Sequence, residues 1–157
     1  MKNVKLFILL IATGLFVLTA NTTSAQDAKD GDALVGVWEP GHGKAKIKVS
    51  KLGDKYFGKI VWLKEPLDED GNKKTDKNNP DESMHSTPLL GYRILKDFEY
   101  VGKNKWENGT IYDPENGSTY SCTIKLIDEN TLDVRGYIGV SAIGRTDTWK
   151  RLQKKKK

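Results

Sequence analysis

The stretch Ala45-Lys46-Ile47-Lys48-Val49 decides the fold class, because it alternates apolar and basic residues without a break. Successive side chains of a strand point to opposite faces, so Ala45, Ile47 and Val49 share one face and the two lysines the other. Gly53-Asp54 follows, a dipeptide suited to a two-residue hairpin turn. Beyond it, Tyr56 to Leu63 is aromatic and β-branched at positions of both parities. This second run is expected to form a strand buried on both faces.

The same pattern continues in both directions. Gly36-Val37-Trp38 precedes the first alternation. Leu89 to Val101, broken near Lys96-Asp97, and Lys105 to Tyr112 follow the second. Asp113 to Gly117 makes a turn before Thr119 to Ile127, and Asp128 to Asn130 another before Thr131 to Ile138. A last strand is expected over about Arg145 to Leu152. No segment of helical period exceeds one or two turns. The expectation is therefore all-β: an antiparallel up-and-down barrel of about eight strands, since a meander of this size removes its edges by closing. A sandwich is the alternative, but it needs longer cross-connections. Lys64 to Thr87 is rich in Asp, Asn, Lys and Pro and reads as a long loop, a length often tied to function or disorder.

At the N-terminus, Lys2 and Lys5 precede an uncharged apolar run from Leu6 to Leu18, and Thr23-Ser24-Ala25 closes the segment. Basic, apolar and small-residue regions in that order make residues 1–25 a secretory signal peptide. The run is too short for a spanning helix, which needs about 20 apolar residues. The mature chain is expected in the periplasm or outside the cell. Residues 26–33 read as a flexible segment, 34–152 as the barrel domain and 153–157 as a basic tail. Cys122 is the single cysteine, so no disulfide forms within the chain and packing must hold the domain.

The chain carries 26 basic and 21 acidic residues, a net +5. Without Lys2 and Lys5 this falls to +3, and without Lys154 to Lys157 the body is −1. By that reckoning the basic character belongs to the tail rather than to a binding face. Nucleic-acid recognition, which wants a clustered basic surface, is not expected. The tail is expected to be solvated, with at most weak contact with an anionic envelope surface.

No catalytic set is legible. Gly-x-Ser-x-Gly is absent, and His42 and His85 stand in no metal-ligand spacing. Asp68-x-Asp70-x-Asn72 opens like a calcium loop, but Lys73 and Asn79 occupy the places of the required Gly and bidentate Glu. No metal or cofactor is expected. Cys122 alternates with Tyr120 and Ile124 and reads as a buried, inert thiol. Arg135 shares a face with Asp133 and Tyr137, which suggests an outward salt bridge.

Ligand pockets are largely apolar with a few placed polar groups. Trp106, Asn108, Thr110 and Tyr112 fall on one strand face by strict alternation. With Trp62 and Tyr120 they are the candidate ligand-binding residues, for a small hydrophobic molecule held inside the barrel. The competing reading is that the barrel is filled by its own side chains and acts as a structural or interaction module of the envelope.

The chain ends carry a resemblance. Gly36-Val37-Trp38 on the first strand and Trp149-Lys150-Arg151 on the last look like the calycin pattern. There a Gly-x-Trp meets an Arg across the barrel floor, which implies that Gly36, Trp38 and Arg151 close the barrel. The mature chain also resembles a bacterial family known as domain of unknown function 2147. The matching residues include Gly58-Lys59-Ile60-Val61-Trp62-Leu63, Asn79-Pro80, Pro88-Leu89-Leu90-Gly91 and Gly109-Thr110-Ile111-Tyr112-Asp113-Pro114. Gly117 with Tyr120, Leu132 with Val134-Arg135-Gly136-Tyr137, and the two chain-end motifs complete the match. The resemblance implies a lipocalin-like barrel and export to the envelope, and no activity.

Overall fold

A computed structural model describes residues 30–153. The segment 1–25 expected to be a signal peptide, most of the 26–33 segment and Lys154 to Lys157 lie outside the described residues. Eight strands follow in chain order: β1 (Gly36–Glu39), β2 (Ala45–Leu52), β3 (Lys55–Leu63), β4 (Arg93–Tyr100), β5 (Lys105–Asp113), β6 (Ser118–Asp128), β7 (Thr131–Tyr137) and β8 (Gly144–Arg151). Each pairs antiparallel with the next, and β8 returns to β1 to close a barrel. The seam is short: Trp38 lies opposite Arg151 and Glu39 opposite Lys150. One end, the floor, holds the start of β1, the Gly53-Asp54 turn and the end of β8. The mouth holds the 64–92 connection and the 138–143 loop. Among the described residues no helix is long and apolar enough to cross a membrane.

Alternation places the core as the sequence indicates on β2, where Ala45, Ile47 and Val49 are buried. The floor half is packed by Trp38, Tyr56, Phe98 and Trp106, each at most 2 % exposed, with Leu34, Leu95, Ile124 and Leu132 between them. Gly109 lies directly under the Phe98 ring, and any Cβ there would run into it. Gly58 is similarly placed against Leu95, 2.7 Å from where its Cβ would stand.

Three features depart from the sequence reading. β3 is not buried on both faces: Tyr56, Gly58 and Ile60 point inward, while Lys59, Val61 and Trp62 are exposed. A register shift between Lys46 and Ile47 lets Trp62 pair with Lys46 on the outside. β5 breaks strict alternation, since the register shifts between Trp106 and Gly109 and Asn108 adopts a left-handed conformation, φ 62°. A β-bulge of this kind reverses the facing of everything beyond it. The 64–92 connection, finally, has order of its own. Leu67 bridges Lys73, Thr75 bridges Pro88, and Glu82–Met84 forms a 3₁₀ turn capped by Asp81. Asp68 closes an exposed turn, its Oδ1 accepting the backbone N–H groups of Asp70 at 3.1 Å and Asn72 at 2.8 Å.

Candidate functional site

The six candidate ligand-binding residues do not come together. Trp106 fills the floor half, with Tyr56 edge-on at 6.3 Å and Tyr100 tilted at 5.2 Å between ring centroids. Its indole Nε1–H is buried without a hydrogen-bond partner among the described residues. Tyr120 stands half-buried near the mouth, its hydroxyl accepting from the Asn116 amide at 3.1 Å. Trp62 lies outside under the Lys46 ammonium, 4.3 Å from the ring centroid. The bulge puts Asn108 outside, where its amide donates to Glu99 at 2.9 Å. That hydrogen bond, and then Lys55, hold the Glu99 carboxyl below its usual range. Past the bulge Thr110 and Tyr112 also face outward, while Gly109 and Ile111 face in, opposite Cys122 and Tyr120. The shared face assigned to residues 106–112 is thus split by one extra residue, because Gly109 must turn inward beneath Phe98.

Tyr112 is nonetheless buried, because the 64–92 connection folds over it. Asp76, fully buried, accepts the Tyr112 hydroxyl on Oδ1 at 2.7 Å and the Asn79 amide on Oδ2 at 2.7 Å. The Asn79 amide also donates to the Tyr92 hydroxyl at 3.1 Å, and the Asn79 carbonyl lies 2.8 Å from His85 Nε2. Burial, and then the neighbouring Asp76, push the Tyr112 phenol well above its ordinary value. Asn78 donates from its amide to the carbonyls of Pro114 and Glu115, and Glu115 pairs with Lys44 at 2.6 Å. Both Asp76 oxygens are met by neutral donors, so the cluster fastens the long connection onto β5 and its turn. Only Tyr112 of this cluster was a sequence candidate. Asn79-Pro80 was the one other signal, as part of the family pattern.

A concave site does exist, on the outer face of β5, β6 and β7. It is an open trough of about 630 Å³. Thr110, Ser121 and Thr123 form its base, Tyr137 and Arg135 one side, and Lys105, Glu107 and Asn108 the floor end. The 138–143 loop walls it. Arg135 donates from Nε to the Ser141 carbonyl at 2.8 Å, from Nη2 to Ala142 at 3.3 Å and from Nη1 to the Thr146 hydroxyl at 3.0 Å. Arg135 points outward as expected, but it holds a loop and forms no salt bridge among the described residues. Its fork geometry suits this, satisfying two carbonyls and a hydroxyl at once. Hydroxyls and an amide line about half of it, and five charged side chains of both signs, Lys105, Glu107, Lys125, Asp133 and Arg135, line most of the rest.

At the floor, the Arg151 guanidinium stacks on Trp38 at 4.0 Å from the ring centroid. It donates to the carbonyls of Ala33 at 2.5 Å, Val35 at 3.0 Å and Glu129 at 2.7 Å. Trp38 Nε1 donates to the Leu34 carbonyl at 2.9 Å. Gly36 sits beside Arg151 at φ 154°, leaving no room for a side chain. The segment entering β1 and the end of β8 are joined through one side chain.

The family model described as "Uncharacterized protein conserved in bacteria" (DUF2147) matches residues 36–151. The chain belongs to this family. The matched span begins at Gly36 and ends at Arg151, the two residues that meet at the clamp. Among solved structures, the chain is similar to protein HP1028 from the human pathogen Helicobacter pylori, which belongs to the lipocalin family. The two share 25% identity at a TM-score of 0.66, over 76% of this chain and 83% of that one. No curated protein matches the chain. This member of the DUF2147 family is thus a lipocalin-like closed barrel of eight strands.

Proposed function

We propose that this DUF2147 protein is an exported binding module of the cell envelope. Its packed barrel is a rigid frame, and its ligand is held in the outer trough of β5–β7. The observation that carries this reading is the trough itself, a concave polar surface walled by an arginine-anchored loop. Thr110, Ser121, Thr123 and Tyr137 present hydroxyls there that suit a small polar ligand. Export is supported by the order of basic, apolar and small residues over 1–25.

A second reading keeps the small apolar ligand inside the barrel. It is favoured by the Trp106 Nε1–H, unpaired among the described residues, and by the likeness to a lipocalin-family protein. One titration series separates the two. The mature chain, labelled with nitrogen-15, is screened by NMR against monosaccharides, amino acids and dipeptides, and separately against fatty acids. Saturable shifts confined to Thr110, Ser121, Thr123 and Arg135 with a polar compound are expected. Shifts centred on the Trp106 indole with a fatty acid would replace the first reading by the second.

A further inference from the structure

Counting charge along the chain hides where the charges stand. Register aligns Lys48 of β2 with Lys59 of β3, and Lys59 in turn with Arg93 of β4. Three cations therefore lie abreast on adjacent strands, about 4.8 Å apart from one strand to the next. Lys46 flanks them on β2 and Lys96 on β4. Lys48, Lys59, Arg93 and Lys96 are exposed, and among the described residues none of the five makes an ion pair within 4 Å. On the β4 side, Asp97 and Glu99 are both engaged by Lys55. Like charges placed directly opposite each other destabilise a sheet, so folding alone does not favour this row.

Aromatic rings interleave the cations. Trp62 lies beneath Lys46, and Arg93 sits over Phe57 at 4.8 Å. Trp62 is 39 % exposed and its neighbour Val61 37 %. Cations beside a half-exposed tryptophan and an exposed valine match the boundary layer of a bilayer, where indoles settle at headgroup level and anionic lipids attract lysines. A soluble polyanion accounts for the lysines but not for the exposed Val61 and Trp62.

We infer that the outer face of β2–β4 docks the protein on an anionic lipid surface. Lys46, Lys48, Lys59 and Arg93 meet the headgroups, and Trp62 seats at the interface. The trough begins on the next strand, where Thr110 of β5 lies opposite Lys96 of β4.

The test is co-sedimentation of the mature chain with phosphatidylcholine vesicles containing about a third phosphatidylglycerol, against phosphatidylcholine alone. Binding is expected only to the anionic vesicles and should be lost in about 0.5 M salt. Lys48→Gln and Lys59→Gln should each weaken it about fivefold. Lys59→Gln should at the same time melt at or above the parent temperature, because it relieves repulsion; a lysine kept for the fold would lower it. A chain lacking residues 154–157 serves as control and should retain most of the binding. Loss of binding in that control with none in the Lys48 and Lys59 variants would overturn the inference. So would retention on heparin without any binding to anionic vesicles.

Discussion

Removing the Arg151 clamp should reveal how much of the barrel's stability rests on its seam. The guanidinium makes a cation–π contact with Trp38 at 4.0 Å and three hydrogen bonds to backbone carbonyls, two of them exposed. A cation–π contact contributes about 0.5–2 kcal/mol according to its desolvation. Exposed hydrogen bonds add less than buried ones, so Arg151→Ala should cost about 2–3 kcal/mol. Trp38 is fully buried, and Trp38→Ala should cost about 3–5 kcal/mol through the cavity it leaves. The double variant should fall short of the summed losses by about 0.5–2 kcal/mol, the part that both single changes remove. Urea melts of the four proteins read this directly, since about 2 kcal/mol moves the midpoint by about 1 M. Arg151→Lys should recover less than half of the loss, because an ammonium cannot present a planar fork. Additive losses within about 0.3 kcal/mol would refute the coupling, and with it the claim that stacking helps to close the barrel.

Tyr112→Phe should cost about 1.5–3 kcal/mol, because it strips a donor from the buried Asp76 carboxylate. The same tyrosine sets an alkaline limit. Its phenol is raised in the folded chain, so the stability it contributes is complete below pH 10 and declines as pH rises past that unfolded value. A plot of melting midpoint against pH above 10 should therefore be flatter in Tyr112→Phe than in the parent. Burial pushes the Cys122 thiol up to about 12, so a thiol reagent at pH 8 should leave the native chain unmodified and react fully in urea; fast native labelling would contradict its burial. Intact-mass measurement of the exported protein should give a chain beginning at Gln26, and a retained 1–25 segment would refute export by a cleaved leader.

Period two and turn chemistry made the eight strands and most of their bounds legible, because both depend on neighbours along the chain. The break expected near Lys96-Asp97 is not a break: β4 runs on through it from Arg93 to Tyr100, and Asp97 takes φ 62° within the strand. The bulge at Asn108 was not legible, since it arises from Gly109 turning under Phe98, a residue of the neighbouring strand. That single residue moved Thr110 and Tyr112 to the outer face and dispersed the expected pocket. A second shift, at Lys46/Ile47, did the same for Trp62. Asp76 and Tyr112 stand 36 positions apart, and no periodicity links a loop aspartate to a strand tyrosine. The body charge of −1 concealed a cationic row for a related reason. Summation ignores register, and register alone brings Lys48, Lys59 and Arg93 abreast.

The shortness of the seam has a consequence in time. β7 and β8 match over seven register pairs, whereas β8 meets β1 over two, and those two join the first strand made to the last. Every chain emerges N-terminus first, so β1 waits with an unpaired edge until Lys150 and Arg151 arrive. During that interval seven strands can form a curled but open sheet, whose free edge is a template for pairing with another copy. Two ladder pairs alone would make a slow and leaky closure. A guanidinium that gathers the carbonyls of Ala33, Val35 and Glu129 around one tryptophan ends the exposed interval in a single docking event. On this view Arg151 guards the newly made chain against strand exchange and aggregation as much as it stabilises the finished barrel.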